Sequence, residues 1–303
     1  MADLPDSPAH TPPQHVVAVD VGGTTIKAGR VARDGTLTSS RTIPTPPDVA
    51  DLLTAVRRTV AECGPTDPVG VVTAGLTDER SGTVLQAANL GWRDLPLRDR
   101  LTEALGRPVA FGHDVRGAAL AELRWGAGEP DMLFVPIGTG LAVAVVVDGE
   151  VRGTGWSGEI GQVLVPDPDG PGRVRLEEIA SARGIARRYA ARAGCPVDGS
   201  REVLRKLEDC DTDALDAVTT AVALLADTLA AASAVLGPVP VVLGGGLAEG
   251  GEAVLAPLRA ALGERLPAEA VPPVRTARLG RWAGCLGAAA IAFATAEARG
   301  RAA

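Results

Sequence analysis

Residues Val16–Val31, reading VVAVDVGGTTIKAGRV, constrain the fold more than any other stretch of the chain. A β-branched run, Val16–Val19, leads to Asp20; Gly22-Gly23-Thr24-Thr25 follows, and a second run, Ile26–Val31, returns. The order reads as strand, tight turn and returning strand. Two glycines let backbone approach a bulky anion, and the N–H groups of the turn, with the Thr24 and Thr25 hydroxyls, suit phosphate oxygens. Asp20, at the mouth of the turn, is placed to hold a hydrated Mg²⁺ and not the phosphate itself, since two anions need a cation between them. The plainer reading is a hairpin that merely turns on Gly-Gly. The pattern is neither G-x-x-x-x-G-K-[ST] nor a dinucleotide fingerprint, because no helix follows directly.

The chain's 303 residues suit two domains or one large one. A formal charge of −7 argues against a nucleic-acid surface and gives no attraction to membranes. Residues 1–14 are proline-rich, without a basic or apolar signal region, and are expected to form a disordered tail. Ala217–Leu236 is the longest apolar stretch, but Asp227 and several threonines interrupt it, so it reads as a buried helix. Four dispersed cysteines without C-x-x-C spacing point to reduced thiols in the cytoplasm.

Further along, Leu37–Ile43 reads as a strand. A helix follows Asp48, its plausible N-cap, with Val49, Leu52, Leu53, Val56 and Val60 at helical spacing. Pro68–Thr73 is a buried strand, and Ala74–Trp92 reads as loop with one small strand at Thr83–Gln86. After a helix at Leu97–Leu105 and a strand at Pro108–Phe111, Asp114 stands just ahead of the helix formers Ala118–Arg124. Two readings of Asp114 are compatible: an N-cap, and a carboxylate able to accept a proton from an attacking hydroxyl.

Met132–Ile137, Gly138-Thr139-Gly140 and Leu141–Val147 repeat the strand, Gly-Thr turn and strand around Thr24. Two related domains, each with one phosphate hairpin, would leave such an echo. In the helix from Ala214, Val218, Val222, Leu225, Leu229, Ala232 and Leu236 make one buried face. Gly244-Gly245-Gly246 ends the strand Val239–Leu243 and would let adenine or ribose lie on backbone, or serve as a generic turn. Val274–Leu279 is a last strand, and Ala283–Ala294 a helix whose Gly284 and Gly287 suit close packing.

D-x-G-G-T-x-x-K at Asp20–Lys27 resembles the first phosphate motif of the sugar kinase, heat-shock chaperone and actin superfamily, and within it the ROK family, which includes bacterial glucokinases. The resemblance runs from Val16 to about Ala296 with the motifs in family order. Gly75, Asp78, Gly82, Asn89, Leu90 and Trp92 match P-G-P-V-D…G…P-N-L-x-G-W, whose Asn touches the sugar. Asp114 aligns with the base of E-N-D-x-N-A-A-A-L-A-E, and A-A-L-A-E stands at Ala118–Glu122. Gly112-His113 replaces the family's E-N, which changes the donors and acceptors beside the base. Gly138–Gly140 resembles the second phosphate motif, and V-x-G-G-G at Gly244–Gly246 the adenosine motif.

Gly158–Gly161 keeps G-E-x-G, but Gln162 replaces the family's zinc-ligating His, and Gly170–Ser181 lacks every cysteine of the zinc loop while keeping Leu176-Glu177. No zinc is expected. The resemblance therefore implies an α/β, actin-like ATPase (ribonuclease H-like) fold of two domains around a cleft for nucleotide and substrate. Residues 15–115 with about 288–303 would form the smaller domain, and 116–287 the larger.

It implies γ-phosphoryl transfer from Mg²⁺–ATP to a primary hydroxyl of a sugar-like acceptor by a homodimer of the family type, with Asp114 as base. ATP would meet Gly22, Gly23, Thr24, Thr25, Lys27, Gly138, Thr139, Gly140, Gly244, Gly245 and Gly246. Asn89, His113, Asp114, Glu159, Gln162 and Glu177 would face the acceptor. Glucose, an amino sugar such as N-acetylmannosamine, and a C7 cyclitol are the acceptors to weigh. A catalytically silent sugar sensor is the alternative, while the family's DNA-binding repressors carry a helix-turn-helix ahead of the first motif.

Overall fold

The computed structural model describes residues 12–302; most of the segment assigned to a disordered tail, residues 1–11, lies outside the described residues. The chain divides into two compact units, one running to Ala121 and resuming at Trp282, the other covering Glu122–Arg281.

The first unit is built on β1 (His15–Val21), β2 (Thr25–Ala32), β3 (Leu37–Pro44), β4 (Val69–Thr73) and β8 (Val109–His113), in the order β3-β2-β1-β4-β8. β1 pairs antiparallel with β2 and parallel with β4, and β4 pairs parallel with β8. Valines dominate the central strands because both faces are covered. On one face lie α1 (Val49–Cys63) and α2 (Leu97–Leu105), with Leu52, Val56, Leu97 and Leu101 fully buried. On the other packs the closing helix, Ala283–Ala302. Small residues bring it close: a Cβ at Gly70 would strike the Ala288 carbonyl, and one at Gly287 would enter the backbone of Gly117 in α3 (Asp114–Trp125).

Two details differ from the sequence reading. Ala74–Trp92 is a small antiparallel sheet of β5 (Leu76–Asp78), β6 (Thr83–Ala87) and, just beyond, β7 (Trp92–Leu95), not mostly loop. Its strands are three to five residues long, too short for a readable period. Asp48 precedes α1 but makes no side-chain cap; its carbonyl accepts the Leu52 N–H instead.

In the second unit the sheet is β9 (Met132–Pro136), β10 (Ala144–Val147), β11 (Glu150–Arg152), β14 (Val241–Gly244) and β15 (Val274–Thr276), ordered β11-β10-β9-β14-β15. The pairings are again antiparallel, antiparallel, parallel, parallel. Each sheet thus repeats the other's topology, and the Gly-Thr echo marks equivalent hairpins. β10 is shorter than Leu141–Val147 because Val143 bonds the Gly158 carbonyl instead of β9. β15 stops before Leu279 because the Arg278 and Leu279 N–H groups turn to the buried Glu122 carboxylate, at 2.8–3.1 Å.

Between these strands run the hairpin β12 (Leu164–Pro166) and β13 (Arg173–Arg175), then α4 (Leu176–Ala180), α5 (Ala182–Ala193), α6 (Ser200–Glu208) and α7 (Thr212–Leu236). Two more helices, α8 (Gly245–Ala248) and α9 (Glu252–Gly263), join β14 to β15. Among the described residues α7 is the one helix long and apolar enough to cross a membrane; its Ala217, Val218, Val222, Leu225 and Leu229 are buried in the core of this unit.

Candidate active site

In the first unit, the β1–β2 turn is fixed from both sides. The Gly22 N–H donates to the Thr25 carbonyl at 3.1 Å, and the Thr45 hydroxyl to the Gly22 carbonyl at 2.7 Å. Gly23 and Thr24 stay exposed at its tip. A Cβ at Gly23 would lie 3.3 Å from Cβ of Asn89, so this turn and the predicted sugar-binding Asn are neighbours.

Asp20 sits at the end of β1, almost wholly buried, with its carboxylate 3.6 Å from Lys27 Nζ. Burial pushes its pKa up to about 6, against the opposing pull of Lys27 and reinforced by the charge of Asp114. Space for this carboxylate comes from Gly284, where a Cβ would fall 2.6 Å from Asp20 Oδ2. Gly284 therefore shapes the site, beyond the packing role read for it. Among the described residues no cluster of three or more His, Cys, Asp or Glu could hold a metal ion. One recessed carboxylate beside an exposed glycine turn fits Mg²⁺, which keeps several waters and takes its other ligands from substrate phosphates.

Asp114 opens α3 directly after β8, and its Oδ1 accepts the Val115 N–H at 2.8 Å. Asp114 is already the first helical residue and bonds only its neighbour, so it is not the cap expected from the sequence; His113 Nδ1, which accepts the Arg116 N–H at 3.4 Å, takes that place. His113 Nε2 lies 3.4 Å from Asp114 Oδ1. Oδ1 is thus the oxygen held by backbone, with the imidazole close to it. Burial raises the Asp114 pKa to about 6, while the Val115 N–H and the Arg116 charge hold it back. His113 is buried, and burial with the nearby Arg116 cation pushes its pKa down to about 3, so the imidazole is neutral.

Three residues of this unit were not singled out from sequence. Arg116, buried in the first turn of α3, donates from Nε to Glu79 Oε1 at 2.6 Å and from its guanidinium to Thr77 Oγ1 at 3.2 Å. The one available signal is that Arg116 stands where the E-N-D-x-N pattern has its second Asn.

The second unit holds the other predicted residues. Ile137, ahead of the Gly138–Gly140 turn, donates to the Gly244 carbonyl at 2.9 Å and accepts from Leu247, which sets the Gly244–Gly246 turn beside it. Gly245 has φ +75°, and a Cβ there would lie 2.5 Å from the Ile137 carbonyl oxygen, so this turn needs its glycine. A cavity of about 670 Å³ opens between Thr139, Gly246, Arg183, Arg187, Ser200 and Arg201, among others. Gln162 donates to Glu177 Oε1 at 2.8 Å, and a Cβ at Gly140 would lie 3.3 Å from Glu177 Oε2. Gln162 and Glu177 are thus joined to each other, with Glu159 three residues before Gln162 on the same loop.

The ROK family model matches residues 16–295. A glucokinase of Halalkalibacterium halodurans is 31% identical, over 89% of this chain and 92% of its own length. An N-acetylmannosamine kinase of Citrobacter koseri is 32% identical, over 91% of this chain and 98% of its own. A crystal structure of a ROK family glucokinase from Streptomyces griseus, in complex with glucose and AMPPNP, superposes with a TM-score of 0.78 at 31% identity, covering 91% of this chain and 98% of that one. Twin sheets of one topology, with glycine turns after equivalent strands, are the actin-like ATPase architecture, and the match runs through every motif described above. The chain belongs to the ROK family.

Proposed function

We propose that the protein is an ATP-dependent sugar kinase that transfers the γ-phosphoryl group to a primary hydroxyl of a sugar or sugar-like polyol, with Asp114 as general base. The observation that carries this reading is the Asp114 carboxylate itself: held through Oδ1 by the Val115 N–H, still partly exposed, and in the unit that also holds Asp20 and the Gly22–Thr24 turn. Asp114 takes the hydroxyl proton as the oxygen attacks. Backbone N–H groups at Gly22–Thr24 and Gly138–Gly140 hold the phosphates, and Lys27 offsets their charge. Gly244–Gly246 and the cavity beside it receive the nucleoside. Asp20 would hold Mg²⁺ through water, and the ion would supply charge neutralisation on the phosphates. Transfer is then largely a matter of positioning and electrostatics.

Asn89, His113, Glu159, Gln162 and Glu177 are assigned to acceptor recognition. Each hydroxyl that meets no partner in such a pocket costs about 1–3 kcal/mol, so these side chains set specificity. The relatives named glucokinase and N-acetylmannosamine kinase make hexoses and amino sugars the first acceptors to test. His113 and Gln162, where the family pattern has Asn and His, keep C7 cyclitols on the panel. The test is transfer from γ-labelled ATP across glucose, mannose, N-acetylmannosamine and a C7 cyclitol. Labelled phosphate on at least one of them is the expected result; ATP binding with no transfer to any would favour a silent sensor. The reading extends to a cytoplasmic homodimer, on family resemblance and on four free, dispersed cysteines; sedimentation equilibrium checks the dimer.

A further inference from the structure

We propose that Arg188, through Asp169, anchors the β12–β13 hairpin and so holds Gln162 against Glu177, which makes Arg188 a positioning residue for the acceptor pocket. This goes beyond the assignment of Gln162 and Glu177 to acceptor recognition and depends on it. Arg188 stands in α5 between the core residues Ile185 and Tyr189 and is itself buried. Its guanidinium meets two carboxylates. Nε donates to Asp216 Oδ2 of α7 at 3.1 Å, with Nη2 2.9 Å from the same oxygen, and Nη1 donates to Asp169 Oδ2. Apolar residues in place of a buried ion pair often leave stability unchanged, because desolvation offsets the attraction. What the arginine adds is geometry: its planar fork bridges both carboxylates at once and fixes Asp169 relative to α5 and α7.

Asp169 lies in the loop that joins β12 to β13. The Asp167 N–H closes that loop by donating to the Gly172 carbonyl at 3.0 Å, and the Asp169 N–H donates to Asp167 Oδ1 at 2.9 Å. From there the ladder is continuous. Pro166 pairs with Arg173, Val165 with Val174 and Leu164 with Arg175, and the Leu176 N–H donates to the Val163 carbonyl at 2.9 Å. At its open end Gln162 donates to Glu177 Oε1 at 2.8 Å. Two strands of three residues make a marginal ribbon on their own. Val165 is the one side chain of those strands that is buried, so apolar packing does little to fix their register. The Arg188–Asp169 pair ties down the turn, and a hairpin held there keeps Gln162 and Glu177 opposite each other at its base.

The Asp169 side chain is more than half exposed, and Arg188 keeps Asp216 when it is lost, so Asp169→Ala leaves no buried charge unpaired. The acceptor to use is whichever of glucose, mannose, N-acetylmannosamine and a C7 cyclitol is phosphorylated fastest. In Asp169→Ala its KM should rise about three- to tenfold, with KM for ATP within about twofold. The Leu176 amide should exchange its hydrogen with solvent at least about tenfold faster. Asp169→Glu, still anionic, should keep acceptor KM and exchange within about twofold of the wild type. An unchanged acceptor KM beside faster exchange or a lower Tm would make the pair merely structural and overturn the proposal. Unchanged exchange in Asp169→Ala would overturn it too, as would an Asp169→Glu no better than the alanine variant. Failure of the acceptor assignment itself reads out separately, as an acceptor KM unchanged in Glu177→Gln.

Discussion

Asp20 and Asp114 share one electrostatic problem: desolvation raises the cost of ionising each, and at Asp20 the charge of Asp114 adds to it. Both carboxylates have their ordinary 3.8 pushed up to about 6. A base must be ionised to act, so a raised pKa moves the loss of activity upward in pH. We predict that kcat/KM falls below about pH 6, with a log–log slope above one because both carboxylates must lose their protons. Rates across pH 4.5–8 at saturating Mg²⁺ check this. Gly284→Ala should raise the Mg²⁺ concentration for half-maximal rate severalfold, because its Cβ would lie 2.6 Å from Asp20 Oδ2; a Mg²⁺ titration reads it. Asp20, Lys27 and Asp114 were legible from sequence because each is adjacent to a glycine turn or a strand-to-helix junction. Glu79 and Arg116 were not. They lie 37 residues apart, and a charge in the first turn of a helix reads as a solvated face until a tertiary partner buries it.

At the scale of elements, glycine contacts and one buried carboxylate hold the helices in place. Gly287 meets the Gly117 backbone so closely that any Cβ must push the closing helix off α3. Gly287→Val should cost about 1–3 kcal/mol, measured by urea denaturation. Glu122, fully buried, accepts from the N–H groups of Ala127, Arg278 and Leu279. Glu122→Leu leaves those donors unpaired and should lower stability by about 3 kcal/mol or more, on the same measurement. Long elements such as α1 and α7 were legible because a helical period needs several turns to declare itself. The end of β15 was not, since it is decided by a carboxylate more than 150 residues away.

Across the whole molecule, the two sheets have one topology, and the reading assigns each a phosphate hairpin. Sequence carries only a faint trace of this, Gly22-Gly23-Thr24 beside Gly138-Thr139-Gly140, because backbone topology outlasts side-chain identity where only packing is at stake. The acceptor pocket was the least legible part: hydroxyl recognition depends on where donors and acceptors point, which residue spacing does not fix. The account as a whole turns on Asp114. The decisive measurement compares sugar phosphorylation by the wild type and by Asp114→Asn, with ATP-analogue binding followed by calorimetry in both. The account predicts a turnover loss of about 10²–10⁴-fold with nucleotide affinity within about threefold. Turnover retained by Asp114→Asn at the wild-type rate would contradict it.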